Sequence, residues 1–148
     1  MAKARAALLM CVLVATAATA GPAAPDIIQP DRIDWLQPLG HDRIEVQWLL
    51  GGQDQPGNYL LRVRLDHDAR IAPHVHPDAR HTTVLSGSLW VGFGEQFDPD
   101  AMLRLDTGDI YVAPAGVPHY LWARDEAVLY QESGHGPSGM RFLEKSGD

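Results

Sequence analysis

From residue 43 onward, apolar and polar positions alternate with a period of two, the spacing of a strand with one buried face. Residues 43–50 set Ile44, Val46, Trp48 and Leu50 against Arg43, Glu45, Gln47 and Leu49, and residues 59–65 set Tyr59, Leu61, Val63 and Leu65 against Arg62 and Arg64. The same reading predicts strands over 71–76, 80–85, 88–93, 102–105, 108–114, 119–123 and 127–132, with a last edge strand over 140–143. Turn residues punctuate the gaps: Gly51-Gly52, Asp66-His67-Asp68, Pro77-Asp78, Ser86-Gly87, Asp106-Thr107-Gly108, Pro114-Ala115-Gly116 and Arg124-Asp125. Residues 94–101 read as a surface excursion with room for one helical turn. No segment after residue 20 sustains a 3.6-residue apolar period, so the fold class is all-β, a sandwich or barrel of which a double-sheet jelly roll is one form.

At 148 residues the chain has the size of one domain. Its first twenty residues stand apart. Lys3 and Arg5 precede an apolar run over 6–17, and Ala18-Thr19-Ala20 supplies small residues of the kind found before a cleavage site. The run is shorter than a membrane-spanning helix requires, so residues 1–20 are expected to be a secretory signal and the location periplasmic or secreted. Cys11, the single cysteine, lies in that segment. The remaining chain would fold in an oxidising compartment without disulfides and depend on a packed core. Without Lys3 and Arg5 it carries 10 basic against 19 acidic side chains, a net charge of −9, which argues against nucleic acid or an anionic membrane as partner. Residues 21–42 contain Pro22, Pro25, Pro30 and Pro38 and read as an extended arm that Trp35 and Leu36 anchor to the core or to a second subunit. Residues 43–148 form the barrel.

The chemistry concentrates in two stretches. His74-Val75-His76 on an extended segment sends both imidazoles to one side. Downstream, residues 108–119 read as a buried strand running into a Pro/Gly turn that delivers His119. If the stretches meet, three imidazoles can hold a metal and leave a position for water or substrate. Such a donor set suits several transition metals. Between them lies Arg80-His81. If strand parity continues from His74 and His76, Arg80 points inward with Thr82 and Val84; if a bulge after Pro77 changes the parity, His81 does so instead. Histidine can be a ligand and arginine cannot, because a guanidinium stays protonated and has no lone pair to offer. An inward Arg80 beside an open metal position would hold a carboxylate or enolate through paired hydrogen bonds. His41, His67 and His135 lie in loops and read as solvated, and Trp90, Tyr111, Tyr120 and Trp122 read as core.

Together these residues resemble the two motifs of the cupin superfamily. His74-Val75-His76, the Arg80-His81 pair and Gly87 are similar to G-x5-H-x-H-x3/4-E-x6-G, and Gly108, Pro114, Gly116 and His119 to G-x5-P-x-G-x2-H-x3-N. Asp68 stands at the first glycine and Ala123 at the asparagine. The glutamate ligand is absent, and the spacing to Gly87 makes Arg80 its formal equivalent. The resemblance implies a cupin barrel and one divalent transition metal ion, Fe, Mn, Ni, Cu or Zn, held by His74, His76 and His119, with His81 as a further candidate. It also implies a homodimer. The expected function is a mononuclear metal enzyme acting on a small anionic organic molecule fixed by Arg80. Dioxygenase-like oxidation is the first choice and Lewis-acid isomerisation or lysis fits the same residues; the alternative is a cupin that binds a metal or small ligand without turnover.

Overall fold

The computed structural model describes residues 26–38 and 40–143; the expected signal over 1–20 lies outside them. Ten strands form where the alternation places them: β1 (Ile44–Leu50), β2 (Gly57–Leu65), β3 (Arg70–Val75), β4 (Arg80–Ser86), β5 (Leu89–Phe93), β6 (Leu103–Leu105), β7 (Ile110–Ala113), β8 (His119–Trp122), β9 (Val128–Gly136) and β10 (Arg141–Phe142). They build two five-stranded sheets, β1-β2-β9-β4-β7 and β10-β3-β8-β5-β6, paired antiparallel throughout. Residues 94–101 make turns and bends and no helical turn. β9 runs four residues beyond the predicted strand and pairs with β2 as far as Gly57↔Gly136.

The sheets face each other across a core that is apolar at one level and polar at the next. Leu65, Val84, Leu89, Val91, Leu121 and Val128 are almost fully buried at the apolar level. Each would contribute roughly 1.5–3 kcal/mol relative to exposure. At the other level the inward positions hold His74, His76, Arg80, Thr82, His119 and Glu132, all buried. Charge and polarity this deep inside a barrel require partners.

The arm packs against its own barrel. Leu36 exchanges two main-chain hydrogen bonds of 2.8 Å with Val46 at the outer edge of β1, and the Trp35 ring lies 4.2 Å from the Arg64 guanidinium. A 3-10 turn at Pro30–Arg32 brings the carbonyls of Pro30 and Ile33 to within 2.6 Å of Gln47 Nε2. β1 is therefore covered on both faces: Gln47 and Leu49, on its polar-looking side, are as buried as Ile44. An otherwise open sheet edge is thereby partly capped.

Candidate metal centre

Three histidines converge at the polar level. His74 on β3 lies directly opposite His119 on β8, and His76 follows two residues after His74. Strict alternation from Ile71 would have turned His74 outward. The ladder between β3 and β8 slips between Ile71 and His74, with three residues of β3 spanning what two span on β8, so both Ile71 and His74 point inward. The extra residue falls at Ala72-Pro73, where proline has no N–H to give to a ladder. The ring centroids lie 4.3 Å apart for His74 and His119, 4.8 Å for His74 and His76, and 5.2 Å for His76 and His119. One nitrogen from each ring falls within 4.8 Å of the other two.

Hydrogen bonding fixes how the rings face. His74 Nδ1 lies 2.8 Å from the Ala72 carbonyl, His76 Nδ1 2.5 Å from that of Gly139 and His119 Nδ1 3.1 Å from that of Val117. A carbonyl only accepts, so each Nδ1 carries the proton and each Nε2 keeps a lone pair. That is the tautomer an Nε2-bound metal needs, with the outer hydrogen bond holding the ring in place. Burial is the main cause that pushes His74 down to about 3 and His76 to about 4, and it lowers His119 as well. For His74 the neighbouring His119 adds to the effect, and for His76 the Arg80 charge does. Three neutral, oriented, buried imidazoles fit a transition metal that takes nitrogen ligands.

These depressed values have a consequence for the metal-free protein. Unfolding returns each histidine to an ordinary value near 6.5, so below that pH the unfolded chain takes up protons that the folded chain refuses. Stability is thus complete above about 6.5 and falls as pH descends from there through 4 towards 3. Urea unfolding of metal-free protein at pH 7.5 and 5.5 is expected to show a lower midpoint at 5.5. Substituting all three histidines by glutamine should flatten that dependence.

Strand parity simply continues through β4. Arg80, Thr82 and Val84 point inward, whereas His81 is exposed on the outer face, paired with Val112 on β7 and Ser133 on β9. No bulge separates Pro77 from β4, so the structure does not bring His81 to the cluster. Arg80 is 5% exposed, and both of its terminal nitrogens bond within the chain. Nη1 gives 2.7 Å to Glu132 Oε2, and Nη2 gives 2.7 Å to Ser138 Oγ and 3.3 Å to the Gly139 carbonyl. Nε has no hydrogen bond and lies 3.9 Å from Asp78 Oδ1. Asp78 in turn accepts from the hydroxyls of Tyr59 and Ser138.

Two parts of this arrangement were not read from the sequence. Glu132, 4% exposed, supplies the inward carboxylate that β4 lacks, from the neighbouring strand β9 opposite Thr82. Its signal was its phase: Val128 and Tyr130 face the core, so Glu132 does too. The second is the segment Ser138-Gly139, which orients His76 and contacts Arg80. Replacing Ser138 by alanine removes a partner from both Arg80 and Asp78 and loosens the Gly139 carbonyl from His76. Metal affinity is expected to fall about 10–100-fold, the usual cost of losing an outer hydrogen bond, as read by competition with a chromophoric chelator.

A cavity of about 390 Å³ reaches His74 and His76. Its walls are mostly apolar, with Val46, Trp48, Leu61, Val63, Ile71 and Leu121 along them, and His74, His76, Arg80 and Glu132 at the inner end. His41 lies in a loop, as expected, but is only partly exposed: it lines the cavity and stacks on Phe142 with centroids 5.8 Å apart, and Phe142 meets His74 edge-on at 6.0 Å. Trp90 and Trp122 are not core; they lie on the outer face beneath Arg124 and Arg70. His67 and His135 are exposed.

Two facing antiparallel sheets with a three-histidine cluster at one end of the interior define a double-stranded β-helix with a candidate metal centre. Residues 61–130, a little under half of the chain, match the cupin domain family, so the chain carries a cupin domain. A germin-like protein of Arabidopsis thaliana, subfamily 1 member 1, is 34% identical over 77 residues, which cover 51% of this chain and 36% of that protein. The chain thus spans about a third of the length of that curated relative. Among solved structures, the polyketide cyclase RemF from Streptomyces resistomycificus superposes with a TM-score of 0.67 at 16% identity, covering 83% of this chain and 88% of its own. An oxalate oxidase superposes with a TM-score of 0.56 at 21% identity, covering 69% and 56%. These two likenesses carry the fold alone.

Proposed function

We propose that this protein is a mononuclear metal enzyme that acts on a small organic molecule bound in the barrel cavity. The observation that carries the reading is the convergence of three Nε2 lone pairs, each backed by an Nδ1–H bond to a carbonyl, in a buried cluster of which His74 and His76 line a mostly apolar cavity. His74, His76 and His119 would hold the ion. When bound, it would supply Lewis acidity and, if redox-active, electron transfer. The chain's own residues do the rest: the apolar walls orient the molecule and exclude water, Phe142 and His41 border the mouth, and Arg80 holds Glu132 and Ser138 in place. Oxidation with dioxygen remains the first choice and Lewis-acid isomerisation or lysis the second; solved neighbours include an oxidase and a cyclase.

A binding protein without turnover is the second reading. Glu132 favours it, because the carboxylate best placed to move a proton is committed to Arg80. Iron-loaded protein assayed for oxygen uptake with pooled phenols and diketones separates the two. The enzyme reading expects uptake that His119→Ala abolishes. Saturable binding of the same compounds with neither uptake nor product formation under iron or zinc would support the second reading instead. Secretion, and a homodimer formed by the same barrel, belong to this proposal.

A further inference from the structure

The sequence suggests that Arg80 clamps a substrate anion, yet both terminal nitrogens of its fork already bond within the chain. Glu132 occupies Nη1, and Ser138 and Gly139 occupy Nη2. The remaining donor, Nε, faces a second carboxylate, that of Asp78. Two buried carboxylates therefore surround one guanidinium, and the arginine offers no surplus positive charge to the cavity. A ligand carboxylate would have to displace Glu132, leaving it unpaired in a buried site, and that is costly. The histidines impose the same preference. With their protons turned outward to carbonyls, His74 and His76 present lone pairs to the cavity of the metal-free protein, which accept a hydrogen bond from a hydroxyl and repel a carboxylate. The rest of the wall is mostly aliphatic and aromatic, with Gln37, Gln53 and His41 as its other polar side chains.

We propose that Glu132 is a specificity-determining residue: by filling the Arg80 fork with the chain's own carboxylate, it makes the cavity reject a ligand carboxylate at its inner end. The cavity selects instead a largely apolar, ring-bearing molecule that presents one hydroxyl or enol oxygen at its inner end. This rests on the cavity being the substrate pocket and narrows the substrate class expected from the sequence, which was anionic.

The test uses a pair of ligands that share one ring system, 2-naphthol and 2-naphthoate, titrated into metal-free full-length protein by calorimetry at pH 7.5. The parent is expected to bind the naphthol at least tenfold more tightly. Glu132→Gln, which keeps an acceptor for Arg80 but removes the competing charge, should cut that ratio at least tenfold, through tighter binding of the naphthoate. Equal or tighter binding of naphthoate by the parent, binding of neither compound, or an unchanged ratio in folded Glu132→Gln overturns the proposal. The parent ratio needs no substitution, so it decides the matter even if the variant does not fold. A parallel zinc titration separates the two claims. Absent zinc binding removes the metal reading and leaves a naphthol preference standing, whereas a missing preference in a zinc-binding protein removes only this proposal.

Discussion

Arg80→Ala is expected to destabilise the protein by about 3–5 kcal/mol, the usual cost of removing one partner from a buried ion pair. Glu132 would be left 4% exposed with only a 3.4 Å contact from Thr82 Oγ1, and Ser138 and Gly139 would each lose one of their two partners. For a domain of this size that is a fall in Tm of roughly 10–20 °C. The double substitution Arg80→Met with Glu132→Leu removes both charges and should recover most of the loss. Thermal unfolding of the two variants beside the parent checks this. A single variant that melts with the parent would show that the pair is not holding the polar end of the barrel together.

Zinc should stabilise the folded protein and leave the unfolded chain largely unaffected. At about 100 times the dissociation constant the gain is about 2.7 kcal/mol, a rise of roughly 10 °C in Tm. His74→Ala should abolish that rise, because it removes the ring that lies closest to His119 and opposite it in the ladder. The His81→Ala variant should keep the full rise, since His81 lies on the outer face. Equal zinc shifts in the parent and His74→Ala would mean that the ion binds elsewhere.

Most of the scaffold was legible because it is local. Period-two alternation located each strand, and Gly87 and Gly108 adopt φ values of +75° and +95° at the turns where glycine was expected. The three histidines were legible as a set because their spacing is a property of two short segments. What escaped was long-range or depended on phase. Strict alternation cannot carry both Ile71 and His74 inward, and only the slip at Ala72-Pro73 reconciles them. Glu132 looked like the polar end of a strand because its partner, Arg80, lies 52 residues away. His41 and the Ser138-Gly139 segment are positioned by contacts with Phe142, His76 and Arg80 that no local pattern encodes. The second face of β1 looked polar because what covers Gln47, the carbonyls of Pro30 and Ile33 in the arm, is not encoded in the strand's own pattern.

The central claim is that His74, His76 and His119 hold one metal ion, and elemental analysis of the protein recovered from its natural compartment tests it most directly. About one equivalent of Fe, Mn, Ni, Cu or Zn per chain is predicted, with little in a His119→Ala variant prepared alongside. A parent that carries no metal, and takes up none when each of the five is titrated into it, would contradict the account.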